Sequence, residues 1–281
     1  MTPLRVFSLT AFAMTAFAAN SVLCRLALAS TGIDPVSFTS IRLVSGALLL
    51  WLIVRLRFGR GVSGGNWASA AALFLYAAAF SYAYISLPAG IGALLLFGAV
   101  QTSMIIVGLW EGERLRLRQS VGLALALGGL ILLVRPGLTA PPLIGSGLML
   151  TAGVAWGMYS LRGRKVSNPA AATAGNFLRA APMAVALSAL LFTRAHVDGP
   201  GVFYALLSGA LASGVGYLAW YAALLGMTAT RAAVVQLSAP VIATMGGIVF
   251  LGEALTMRVG IASITIMGGI ALVVVRSGRR A

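Results

Sequence analysis

Gln236, Pro240 and Thr244 recur at intervals of four inside an apolar run, AAVVQLSAPVIATMGGIVFLGEAL, from Ala232 to Leu255. Residues four apart share one face of a helix. Proline has no N–H and so frees the carbonyl four residues back, here that of Gln236. A free carbonyl beside an amide side chain suits the ammonium or amide of a small solute. The alternative is that Pro240 only shapes its helix, as prolines do in membrane helices. Gln101 lies in an earlier apolar run, near the depth of Gln236. Leaving it unpaired would cost several kcal/mol, so it is expected to bond either another helix or a solute. Asn20 has the same two readings.

Aromatic side chains form a second group. Trp156 stands in Gly153-Val-Ala-Trp-Gly157, where small residues let a neighbouring helix approach. A large ring with an N–H donor makes a pocket wall. The rival role, an interfacial anchor, fits its mid-run position less well. Ser160, one turn further on, joins it as a solute-facing candidate. Tyr76, Phe80 and Tyr84 fall on one helix face, with Tyr82 to the side; Tyr217, Trp220 and Tyr221 share another face with Ser213. Such walls suit aromatic, aliphatic or flat cationic solutes, the last by cation–π contact. The rival is plain packing.

Arg42 and Arg179 are the charged residues within apolar runs. At 1.5 Å per residue each lies about 10–15 Å inside its helix. They read as counterparts. Each is either a functional cation or a gating or structural latch, and the latch is preferred. The five carboxylates, Asp34, Glu111, Glu113, Asp198 and Glu253, all fall near run ends. Proton-coupled carriers place an acid in the pathway, so transport without a coupling carboxylate is expected. Glu113 and Glu253 read as caps or loop pairs. One cysteine, Cys24, and one histidine, His196, argue against a metal site, and no cofactor is expected.

These groups need elements to hold them. Of 281 residues, 60% are hydrophobic and 9% charged, against about 25% charged in soluble domains. The composition implies an all-α integral membrane protein. Ten apolar runs are each long enough to span a bilayer: roughly 4–28, 35–57, 66–87, 90–111, 117–135, 142–162, 169–193, 201–225, 229–251 and 256–276. They lack the alternation of a membrane barrel. The first run is read as a retained helix rather than a cleaved signal, because it continues to Ala29. A net charge of +15 suggests nucleic acid at first sight. The basic residues instead sit in short connections, fourteen on one side and four on the other, with Arg42 and Arg179 between. That asymmetry places both termini in the cytoplasm of an inner-membrane protein. No nucleic-acid partner is expected; the bilayer and a small-molecule solute are.

The run from Gly92 to Leu115 repeats Ala232–Leu255 at an offset of 140. Ala93 matches Ala233, Ala99 matches Ala239, Trp110 matches Phe250, and Gly112-Glu113-x-Leu115 matches Gly252-Glu253-x-Leu255. Two halves of five spans must enter the membrane in opposite senses, so the repeat is inverted. The halves are 1–137 and 138–281, joined by the proline-rich stretch between Arg135 and Pro142. A solute site is expected near mid-depth, between helices 1, 3, 4, 6, 8 and 9.

Ten spans in two such halves, with Gly-Glu-x-Leu after the fourth and ninth, resemble the drug/metabolite transporter superfamily and its EamA-type exporters. Asp34-Pro35 followed by Arg42, Ala155-Trp156-Gly157 and Leu237-Ser238-Ala239-Pro240-Val241 also fit. Within that family the chain is similar to YddG-type amino-acid exporters. The resemblance implies alternating-access efflux of aromatic and other neutral amino acids and some cationic compounds. Val100 departs from the pattern, standing where the second half has Pro240. An intramembrane enzyme would need catalytic groups at depth, and no His-Glu-x-x-His, acid pair or Gly-x-x-x-x-Gly-Lys is present. A scaffold would not explain an inverted repeat with inward polar and aromatic faces; a channel is a third alternative, which sustained conductance would favour, whereas counterflow and saturation would favour a carrier. Oligomeric state is left open, with a monomer allowed.

Overall fold

The computed structural model describes residues 2–58, 64–112, 115–135, 140–163, 166, 168–227 and 235–274, and they contain helices and no strand. In chain order the helices are α1 (Pro3–Ser30), α2 (Pro35–Phe58), α3 (Trp67–Tyr84), α4 (Ala89–Trp110), α5 (Leu117–Val134), α6 (Leu143–Gly163), α7 (Pro169–Leu190), α8 (Gly199–Leu224), α9 (Ser238–Leu251) and α10 (Met257–Val274). Five of them, α1, α2, α4, α5 and α8, are long and apolar enough to cross a membrane; α9 and α10 are apolar but shorter. Large apolar side chains such as Phe250, Val249 and Ile264 face outward, while Arg42, Tyr84 and Phe38 are fully buried. A hydrocarbon solvent accepts such an apolar outer face, and it requires backbone polar groups to be satisfied internally, as helices do.

The helix starts follow from local chemistry. Asp34 precedes Pro35 and accepts the N–H groups of Val36 and Ser37 at 2.8 and 3.0 Å. Asn168 precedes Pro169 and accepts the Ala171 N–H at 3.1 Å. Proline at the first helical position loses no bond. Thr39 and Thr173, four residues past each proline, both bond back to that proline's carbonyl. Counted from each proline, Asn176 of α7 holds the place that Arg42 holds in α2, each seven residues on, and Arg179 lies ten past its proline.

Gly252 ends α9 in the left-handed region at φ 65°, and the N–H of Glu253 bonds the Gly247 carbonyl at 3.1 Å. Gly112 follows α4 at φ 93°. Glycine enters that region without the Cβ penalty, which explains the glycine of Gly-Glu-x-Leu in both runs. Glu113 itself lies outside the described residues.

The ninth run differs from expectation. Residues 228–234 lie outside the described part, helical backbone is present at Val235 and Gln236, and α9 starts after a turn at Leu237. Leu237 keeps right-handed helical dihedrals, φ −65° and ψ −15°. The break thus falls where Pro240, lacking an N–H, leaves the bond to the Gln236 carbonyl unmade.

Packing pairs α2 with α7, α4 with α9 and α5 with α10. α3 lies on α6 and α7, while α8 lies on α1 and α2; α6 also meets α4, and α1 meets α9. Glycines make these approaches close: Gly122 and Gly269 each abut the other's carbonyl, Gly153 abuts Ala99, and Gly209 abuts the Arg42 carbonyl. Around Gly209 the α8 backbone widens into a π-helix over Leu207–Val215, a distortion that concentrates at functional sites.

Candidate functional site

Trp156 is the hub of an aromatic box drawn from three helices. Its ring lies 4.8 Å from Tyr76 of α3, 4.9 Å from Tyr217 of α8 and 5.3 Å from Tyr159 on its own helix. Phe80 extends the box beyond Tyr76, and Phe17 closes it against Tyr217 and Trp220. Tilted and edge-on rings at these spacings attract one another beyond simple burial.

Polar groups meet the box on one side. Asn20 donates to the Tyr76 hydroxyl at 3.3 Å and accepts from Ser208 at 2.5 Å. Arg42, 1% exposed, donates to the same Tyr76 oxygen at 3.0 Å and to Ser213 at 3.4 Å. Its guanidinium carbon lies 4.9 Å from the centre of Phe80 and 5.2 Å from that of Tyr76. The π-helix turns Ser208 and Ser213, five residues apart, toward this one cluster.

Phe17, Asn20, Tyr76, Phe80, Leu96, Phe97, Trp156, Ala212 and Tyr217 line a cavity of about 20 Å³, room for roughly one water. A second cavity of about 220 Å³ opens at the end of the bundle that carries the start of α3, the end of α6 and the start of α7. Its polar lining includes Asn66, Ser69, Tyr159, Arg162, Asn176 and Tyr221. Asn176 bonds Tyr159 and the Asn66 N–H, and Arg162 bonds Ser69. The stacked pair Trp156–Tyr159 stands between the two cavities.

The opposite end is closed. Glu253 accepts the Ala89 N–H at 2.8 Å and pairs with Arg25 at 3.4 Å. Arg25 also donates to the carbonyls of Tyr84 and Ile85, so the ends of α1, α3, α4 and α9 are tied together. Beside them, Asp34 accepts the His196 N–H and Asp198 accepts the Gly32 N–H, joining the α1–α2 and α7–α8 connections. Burial opposes ionisation of Asp34, but hydrogen bonds from Ser37, His196 and Val36 outweigh it and hold the carboxyl below its usual range. The Gly32 N–H holds Asp198 low as well. Burial holds Glu253 above the ordinary carboxylate range, with the Ala89 N–H and Arg25 pulling it part of the way back.

Asn20, Tyr76, Trp156 and Tyr217 thus come together around the small cavity, whereas the other candidates go elsewhere. Gln101 of α4 and Gln236, in the helical backbone just before α9, bond each other at 3.2 Å. Tyr84 is buried under Gly92 and bonds the Ala89 carbonyl. Tyr82 is half-buried and is not among the cavity's lining residues. Ser160 bonds back to the Trp156 carbonyl, and Tyr221 lines the larger cavity. Thr244 bonds back to Pro240 and packs on Gly90 near the closed end, away from the box. Arg179 donates to the carbonyls of Gly64 and Gly175. Sequence reasoning did not single out Phe17, Phe97, Ser208, Asn66, Arg162 or Asn176; the small-residue run Ser208-Gly-Ala-Leu-Ala-Ser213 was the available signal for the first serine. Among the described residues no His, Cys, Asp or Glu cluster could hold a metal ion.

Comparison with known proteins agrees with this architecture. The EamA-like transporter family matches residues 143–275. An uncharacterised protein of Pseudomonas aeruginosa, PA1977, is 53% identical over 100% of this chain and 99% of its own. A probable amino-acid metabolite efflux pump of Salmonella typhimurium is 28% identical over 78% of this chain and 75% of its own. A protein known from its crystal structure superimposes on 95% of this chain and 96% of its own with a TM-score of 0.67 at 21% identity, a likeness of fold alone. The chain belongs to the EamA-like transporter family of the drug/metabolite transporter superfamily.

Proposed function

We propose that this protein exports small organic solutes, foremost aromatic and other neutral amino acids, across the inner membrane by alternating access. The observation that carries this reading is an aromatic and polar box at mid-depth, sealed from one end of the bundle and approached by a cavity from the other. The efflux pump related at 28% identity supports amino acids as the cargo class.

Ten spans in two inverted halves, 1–137 and 138–281, fit the packing. Exchanging each helix for the one five later maps α2–α7, α4–α9 and α5–α10 onto themselves. The same exchange converts the α3–α6 contact into α8–α1 and α3–α7 into α8–α2. The matching caps of α2 and α7 support it as well. The basic connections favour a cytoplasmic side for the end with the larger cavity; on that reading this conformation faces inward with its outer end shut. The four described carboxylates, Asp34, Glu111, Asp198 and Glu253, lie at helix ends or in connections, which favours transport driven by the solute gradient.

Counterflow in proteoliposomes tests this. Vesicles loaded with unlabelled phenylalanine or leucine are expected to accumulate the labelled form transiently and saturably, without a proton gradient. Sustained bilayer conductance would mark a channel, and a requirement for an imposed proton gradient would sink the uncoupled reading.

A further inference from the structure

Arg42 is a buried cation without a counter-charge in the described structure. Its Nη2 bonds two neutral hydroxyls, and its Nε and Nη1 have no hydrogen-bond partner among the described residues. The described acids are engaged elsewhere or exposed: Glu253 by Arg25 and Ala89, Asp34 and Asp198 by backbone N–H groups, and Glu111 at the exposed end of α4. Burying a charge this way is costly unless something repays it. The position of α7 seven past its own proline holds a neutral residue, Asn176, also buried.

The guanidinium lies directly behind the cavity wall. Tyr76 and Phe80 both line the small cavity, and the cation packs on both rings. The Tyr76 oxygen accepts from Asn20 and from Arg42. With both lone pairs engaged, Tyr76 stands beside the Tyr217 hydroxyl, and the neighbouring cation strengthens these phenols as donors. An acceptor carrying negative charge is the chemical complement of such a wall.

We infer that Arg42, acting with Tyr76, makes the site selective for solutes bearing a carboxylate and turns away solutes that are only cationic. This rests on the exporter reading above and narrows it: the cargo is a zwitterion or an organic anion, bound with its carboxylate toward α2 and α3. A cationic-drug exporter would place no fixed cation at this wall.

The test is inhibition of labelled phenylalanine and leucine counterflow by two matched series. One comprises phenylalanine, 3-phenylpropionate, phenylalaninamide and phenethylamine; the other comprises leucine, 4-methylpentanoate, leucinamide and 3-methylbutylamine. In the wild type the carboxylates are expected to compete at least about tenfold better than the amides and amines, as for sites that reject a cargo lacking the group they bond. Arg42→Gln should erase that ratio, and Arg42→Lys should keep part of it. Should Arg42→Gln not give a monodisperse protein, the wild-type ratio and the Lys variant still decide. Equal competition by amides and acids in the wild type, or an unchanged ratio in Arg42→Gln, would overturn the inference while leaving the exporter reading intact. Absence of counterflow with both amino acids would overturn the exporter reading and this inference with it.

Discussion

Seven residues past the proline that starts α2 stands Arg42; seven past the proline that starts α7 stands Asn176. Both are buried, and each meets a tyrosine hydroxyl, Tyr76 for the arginine and Tyr159 for the asparagine. Around Arg42 the rings have closed to leave about 20 Å³, and the nearby end of the bundle is tied shut by Arg25, Glu253 and Ala89. Around Asn176 the helices part to leave about 220 Å³. Positions at the same distance from a starting proline therefore hold different chemistry and different amounts of space. On the proposed exporter reading, the charge that would read the cargo sits on one side only.

Trp156 divides the two regions, and removing it should have the largest effect on the contrast. Trp156→Ala is expected to merge the cavities, cost about 3–5 kcal/mol of stability as large-to-small aromatic changes do, and abolish saturable counterflow. Thermal unfolding in detergent and the counterflow assay check both parts; normal transport by this variant would remove Trp156 from the pathway.

Next in size is the closed end. Glu253→Ala leaves the Ala89 N–H without its acceptor and Arg25 without its charge, and should weaken closure by about 1–3 kcal/mol. The native thiol of Cys24 is fully buried beside Arg25. Its reaction with an impermeant maleimide should quicken roughly tenfold or more in Glu253→Ala, and an unchanged rate would show that the tie does not hold this end.

A smaller effect belongs to the bond that ties α4 to the helical backbone just before α9. A double-mutant cycle of Gln101→Ala and Gln236→Ala should give a coupling of about 0.5–1.5 kcal/mol in unfolding. Additive effects would mean that the two amides face the solute separately.

The smallest change gives α2 the same cap residue as α7. Asp34→Asn copies Asn168 and should leave stability at neutral pH nearly unaltered, since both residues cap well. The native carboxyl of Asp34 is held below its unfolded value. Its contribution is therefore complete above that unfolded value, about 3.9, and is lost as pH falls through the lower native one. Acid titration of thermal unfolding should show that loss in the wild type and a flatter profile in Asp34→Asn.

Much of the frame was legible in the sequence. Long apolar runs, proline at helix starts and glycine at helix ends are local signals, and the caps at Asp34 and Asn168 and the left-handed Gly252 follow from them. Asn20, Tyr76, Trp156 and Tyr217 stood out because polar and aromatic groups are rare at such depth. Other features depend on geometry that a regular helical period hides. The π-helix in α8 breaks the 3.6-residue spacing and brings Ser208 and Ser213 to one side, where an ideal helix would part them. The missing N–H of Pro240 points to a break near Gln236, and the turn at Leu237 lies there. The larger cavity is made by where α3, α6 and α7 part, a tertiary fact with no pattern along the chain.

The claim that most needs testing is that the closed end must open for transport. In a Cys24→Ala background, Arg25→Cys and Glu253→Cys joined by a short reducible thiol-to-thiol linker should stop counterflow, and reduction should restore it. Transport at the full rate with the linker in place would contradict alternating access through this end.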